Sequence, residues 1–314
     1  MKLLVNTSQE MRELSGTFFA NIKFERVKTD ILLTTEKVTA LVGKAVLDRA
    51  HIVLEKGTSM TDDEKEFLQH VQLPIATGAA YAYYQGNNIS HDDNGRKSKI
   101  DKTNESQAWQ WQIDKDDEAA LKKYRESLDR LVRYLDATDD QDWINSDSRK
   151  RSRELFLNNT EIFNQYFYID DSASFYYVLT PLIREIQLKK IKPVLGEDYE
   201  SMLAAFQDDT TSSNMDGQLS YIQEALSLHT MALAVKRLTI KVMPEGVVQN
   251  YRNYAQDLTS SNVAEMSAIK WYMLHLQRDA DKALDDLRKF RSKTTIEAPL
   301  LPKNDPKNKY VRTS

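Results

Sequence analysis

Along most of this chain apolar residues recur at steps of three and four. That restricts it to amphipathic helices, because such spacing lines one face of a helical turn and would scatter over both faces of a strand. The longest seam runs through Met266, Ile269, Met273, Leu276, Ala280, Ala283 and Leu287, with Asn262 and Glu265 placed as a cap ahead of it. A stripe so narrow suits packing on its own domain or contact with a neighbouring subunit, and its residues are candidate interface positions. Between Phe24 and Leu47 a shorter seam takes in Val27, Ile31, Val38, Leu41 and Ala45. Thr61-Asp62-Asp63-Glu64 is a capping-box pattern before Phe67, Leu68, Val71, Ile75 and Ala79, in a helix that Pro74 is expected to kink. Another helix, from about Glu105, carries Leu121, Tyr124, Leu128, Leu131 and Leu135.

Between these helices the residues from Ile89 to Ser106 are polar, with a turn signal at Asn94-Gly95, so a loop or small β-hairpin is expected within 87–104. Thr138-Asp139-Asp140-Gln141-Asp142-Trp143 reads as an acidic linker ending in an aromatic. From Phe163 the chain resembles its first half at a shift of 149 residues, which lays Val42–Asp48 over Ile191–Glu197. On this alignment the alanine-rich helix from Phe67 to Tyr84 is matched by one from Leu219 to Val242. Either a duplication or the general likeness of two helical modules accounts for that. The expected fold is mostly α. It comprises an N-terminal helical module (1–137), a second helical module (138–258), a long C-terminal helix (259–292) and an extended tail (293–314), which is broken by Pro299, Pro302 and Pro306.

Composition removes several functional classes. Forty-three Lys and Arg stand against 47 Asp and Glu, a net charge of -4, so no overall positive field draws the chain to nucleic acid or an anionic membrane. With no cysteine, thiolate chemistry and disulfides are excluded. The start has only three consecutive apolar residues after Lys2, short of the roughly 7 to 15 of a signal core, and no apolar run approaches the roughly 18 to 20 residues of a membrane span. His51, His70, His91, His229 and His275 are scattered without metal-ligand spacing, and Ser90, Asp92, Asn94, Gly95 and Asp101 read as a solvated turn rather than a calcium loop. Phosphate-cradling glycine loops and serine nucleophile elbows are absent, so no catalytic residue, cofactor or metal is expected. Two features could serve contacts. Arg149, Lys150, Arg151 and Arg153 form a basic run suited to phosphate or an acidic partner. Trp109 and Trp111, two residues apart, cannot share one helical stripe, which makes one of them a candidate interface anchor.

Four stretches carry a resemblance. They are Met1–Leu4 with Thr7–Leu14, then Thr103–Gln112 with its Ala108-Trp109-Gln110-Trp111-Gln112, then Phe156–Leu195, and finally Met243-Pro244-Glu245-Gly246. The third contains Phe163-Asn164-Gln165-Tyr166 and Leu179-Thr180-Pro181-Leu182-Ile183-Arg184, and leads into Ile191–Gly196. In order and spacing they resemble the head-to-tail connector, or adaptor, proteins of the necks of Bacteroidetes phages and prophages. Phe175-Tyr176-Tyr177 departs from that pattern, which is more basic there. The resemblance implies a non-enzymatic virion protein, assembling as a dodecameric ring beneath the portal and around the DNA channel. It also implies contacts with the portal protein and the next neck or tail ring, with DNA passing non-specifically, and residence in the host cytoplasm during assembly. Two other readings stand beside it: a bacterial helical regulator dimerising through its C-terminal helix, and an enzyme whose acids converge only in the fold.

Overall fold

The computed structural model describes residues 3–17, 23–87, 89–92, 95–98, 109–238, 240–243, 246–249 and 266–295. Its elements run α1 (Ser8–Ser15), α2 (Lys28–Val42), α3 (Lys44–Glu55), α4 (Asp62–Gly86), β1 (Ile89–Asp92), β2 (Gly95–Ser98), α5 (Gln110–Ala137), α6 (Gln141–Ile144) and α7 (Asp147–Arg153). Next come α8 (Thr160–Tyr166), α9 (Ala173–Ile186), a π-helical turn (Gln187–Ile191), α10 (Lys192–Leu195), α11 (Asp198–Gln207) and α12 (Ser213–Leu238). The described chain closes with β3 (Ile240–Met243), β4 (Gly246–Gln249) and α13 (Met266–Thr295). It is predominantly helical, with the two strand pairs forming separate antiparallel hairpins.

Contacts divide the chain into two compact units, the first of residues 1–154, 158–181 and 240–265, the second of 155–157, 182–239 and 266–314. In the first, α4 is the hub, packed on α1, α2, α3 and α5. Its start is the predicted capping box: Thr61 Oγ1 accepts from Glu64 N and Glu64 Oε2 accepts from Thr61 N. Gly78 allows close approach, since a Cβ there would lie 2.7 Å from both Thr34 of α2 and Tyr124 of α5. The helix expected across Phe24–Leu47 is in fact two, α2 and α3, broken at Gly43, whose φ of 95° favours glycine. The break rotates the stripe, leaving Ala45 exposed and burying Val46, Leu47 and Ala50 instead.

Packing does not follow the expected division at 137/138. The stretch 138–143 is no linker: α6 packs on α3 and α5, α7 packs on α2 and α6, and Trp143 is fully buried. Trp143 Nε1 donates to Asp136 Oδ1 at 2.8 Å, and its ring meets Tyr177 edge-on at 5.6 Å. Tyr177 in turn meets Tyr176, and Tyr176 meets Phe163. The tyrosines that depart from the more basic pattern therefore build core, where cations would be costly. Burial pushes the Tyr177 hydroxyl up to about 12. At the start of α9, Asp129 of α5 accepts from Ser174 N at 2.8 Å.

The second unit is organised around three residues of the crossover. Leu155, Phe156 and Leu157 are buried, and Phe156 is clamped by two buried glutamines. Its N–H donates to Gln187 Oε1 and its carbonyl accepts from Gln223 Nε2, each at 2.9 Å, while Gln187 Nε2 donates to Tyr199 Oη at 2.8 Å. The Phe156 ring packs on Tyr199 and Phe206. Gln187 opens the π-turn. Rather than standing apart, the long C-terminal helix α13 packs along α12. Near its end Arg291 donates to Gln218 Oε1, Leu195 O and Asp198 Oδ2. Residues 296–314 of the expected tail lie outside the described residues.

A repeat is present, but in a different register from the expected one. Helix, hairpin and helix recur: α4, β1–β2 and α5, then α12, β3–β4 and α13. Asp62 to Ser213, Ile89 to Ile240 and Ser98 to Gln249 are all steps of 151 residues. At that step buried Leu68, Val71, Ile75 and Ala79 become buried Leu219, Ile222, Leu226 and Thr230. One residue further on, the buried Leu128, Leu131, Val132 and Leu135 of α5 become Ala280, Ala283, Leu284 and Leu287 of α13. The expected shift of 149 would set Gly43 over Lys192, whereas the helix-ending glycine with positive φ in the second repeat's lead-in is Gly196. The second hairpin also shortens the helix expected to reach Val242. The β-branched Ile240 and Val242 pair with Gln249 and Val247 in β4.

Candidate interaction surfaces

The seam proposed from the sequence as an interface is used within the second unit. Leu276, Ala280, Ala283 and Leu287 are buried where α13 packs on α12, Ile269 and Met273 are half-buried, and Met266 is the first residue of the helix. Those four buried positions are corrected from interface to core. Being the second-repeat counterpart of the α5 core face, the stripe recorded burial without identifying the neighbour.

Exposed apolar residues lie elsewhere. Trp109 and Trp111, at the start of α5, are 72% and 43% exposed, and Lys115 sits 5.3 Å over the Trp111 ring. At the start of α13, Trp271, Tyr272 and Leu274 are 60%, 42% and 50% exposed. These three were not singled out from the sequence, because they fall off the apolar stripe. In the sequence the signal was there to be read as two large apolar residues at a spacing of three on the supposedly solvated face. Trp271 stacks on His275 with ring centroids 3.9 Å apart, which limits its rotamers.

The basic run is split by the fold. Arg149 is a structural cation: its Nε lies 3.3 Å from Asp136 Oδ1 and it donates to Asn158 O at 2.9 Å. Lys150, Arg151 and Arg153 are exposed, and Arg151 Nε donates to Asp147 O at 3.0 Å. Of the calcium-like pattern, Ser90, Asp92 and Gly95 lie on the first hairpin, while Asn94 and Asp101 fall outside the described residues. Among the described residues no group of three or more His, Asp and Glu is placed to hold a metal ion, and no helix is long and apolar enough to cross a membrane.

Each helical pair buries one histidine. His70 of α4 stacks on Tyr134 of α5 at 4.1 Å, with Glu66 3.9 Å away and Arg130 nearby. His229 of α12 has Nε2 3.3 Å from Asp281 Oδ1 of α13, and Lys190 Nζ lies 3.7 Å from the same oxygen. Burial first, and then Arg130 or Lys190, hold both imidazoles below their ordinary value of 6.5. As pH falls through 6.5 the unfolded chain therefore takes up protons before the folded one, and stability present above that pH is lost. The urea midpoint is expected to fall between pH 7 and pH 5.5, and to fall less in the His70→Gln/His229→Gln double variant. Equal pH slopes in the two proteins would refute this assignment.

Residues 37–153 and 191–308 match the family model DUF6712, described as a family of unknown function. The chain belongs to DUF6712. Each matched stretch of this DUF6712 chain encloses one helix–hairpin–helix repeat, in agreement with the duplicated architecture. No curated protein and no solved structure matches it.

Proposed function

We propose that this DUF6712 chain is a ring-forming structural subunit of a tailed-phage neck, a head-to-tail connector joining the portal vertex to the tail around the DNA channel. The observation that carries the assembly part is the exposed aromatic surface at the starts of α5 and α13, since clustered aromatics open to water mark contact sites. The neck assignment rests on the four resembling stretches. A mild net charge of -4 suits a wall past which DNA slides, because dense phosphate contacts would hold it. Under this reading the partners are further copies of the chain, the portal protein and the next neck or tail ring. The competing regulator reading, a dimer through the C-terminal helix, would have to use the exposed side of α13, since Leu276, Ala280, Ala283 and Leu287 are covered by the chain's own α12.

The purified chain, alone or with portal protein, is expected to give closed rings in negative-stain images and a light-scattering mass several times 36.3 kDa. A monomer that persists at high concentration and ignores portal protein would sink the proposal.

A further inference from the structure

The opening turns of α5 and α13 carry opposite charge. From Gln110 to Glu118 there are four acids, Asp114, Asp116, Asp117 and Glu118, against Lys115 alone, next to exposed Trp109 and Trp111. From Met266 to Arg278 there are two cations, Lys270 and Arg278, and no acid, around exposed Trp271 and Leu274. The first acid after them is Asp279, 4.0 Å from Arg278.

The duplication supplies an internal control. In the register that superimposes the buried faces of α5 and α13, Trp271, Leu274 and His275 fall on Ala119, Lys122 and Lys123. At those positions α5 forms with small or charged residues, Lys123 donating to Ser15 O, so the helix–hairpin–helix repeat does not by itself require apolar side chains there.

We infer that the first turns of α13 in one copy dock on the first turns of α5 in a second copy, Trp271 and Leu274 against Trp109 and Trp111, with Lys270 and Arg278 facing the acids of α5. This rests on the self-assembly part of the proposed function and names the surfaces that build it. Charge complementarity selects the pairing: α13 against α13 would oppose cations, and α5 against α5 would oppose acids, so like-to-like contacts are penalised. The aromatic side chains supply buried contact area at small entropic cost, and the charges set register. A contact between two different surfaces is heterologous, which gives a ring when its rotation closes.

Two charge-reversed chains test this, Lys270→Glu/Arg278→Glu and Asp116→Lys/Glu118→Lys, all at exposed positions. Each alone is expected to need at least about tenfold higher concentration to assemble, a penalty of roughly 1.4 kcal/mol per contact or more. Mixed in equal amounts they are expected to recover assembly, because each then offers the other an oppositely charged surface, and circular dichroism of each alone should match the wild type. A wild-type chain that never assembles would overturn the self-assembly reading itself. Wild-type assembly that both reversed chains reproduce unaltered would overturn this docking surface while leaving self-assembly standing. Failure of the mixture to recover would overturn the pairing of α13 with α5.

Discussion

Phe156→Ala is expected to lower the unfolding free energy of the second unit by about 3–5 kcal/mol, the range for truncating a large aromatic in a core that relaxes only partly. The side chain is fully buried and packs on Tyr199 and Phe206, so its removal leaves a cavity walled by aromatic rings. The backbone adds a second contribution. Gln187 and Gln223 are oriented by the Phe156 N–H and carbonyl, so a displaced segment strands four polar groups in an apolar setting. Gln187→Leu is therefore expected to cost about 1–3 kcal/mol even though it adds apolar surface, because the Phe156 N–H loses its acceptor. Urea unfolding followed by circular dichroism measures both. A loss below about 1 kcal/mol for Phe156→Ala would show that the crossover is not an anchor.

Trp143→Ala is expected to be comparably damaging to the first unit, again by about 3–5 kcal/mol. Its indole fills the space under Tyr177, and its N–H is one of the groups that hold the Asp136 carboxylate, the other being Arg149. Trp143→Phe separates the two roles. It keeps most of the apolar volume and removes the donor, so a loss of about 1–2 kcal/mol is expected. Equal losses in the two variants would place the whole effect in the hydrogen bond, and negligible loss in both would contradict the burial of the ring.

These two residues also show where reading the sequence stopped. Trp143 follows five polar or acidic residues, and Phe156 stands in the three-residue apolar run Leu155-Phe156-Leu157 after a run of charge, so neither belongs to a periodic stripe. Periodicity finds residues buried by a long regular element, whereas Trp143 sits in the four-residue α6 and Phe156 in the segment between α7 and α8, both too short to show a period. The first hairpin was legible because Asn94-Gly95 is a strong turn signal in a polar stretch. The second was hidden, because Ile240 and Val242 extend the apolar content of α12 and short apolar runs suit helix or strand equally.

The seam of α13 divides the two kinds of knowledge most clearly. The three-and-four spacing from Ile269 to Leu287 determined that a helix exists and which stripe it buries, since both follow from 3.6 residues per turn. The helical class, the cap at Thr61 and the existence of two modules were determined in the same local way. What covers the seam was decided only in three dimensions. Solvent avoidance is non-directional, so an apolar stripe is equally satisfied by α12 or by another molecule, and the choice depends on a contact between residues far apart in sequence. Once α12 takes that stripe, the side of α13 left exposed is the one bearing Trp271 and Leu274, a surface that periodicity assigns to solvent and that, among the described residues, no other helix of its unit covers.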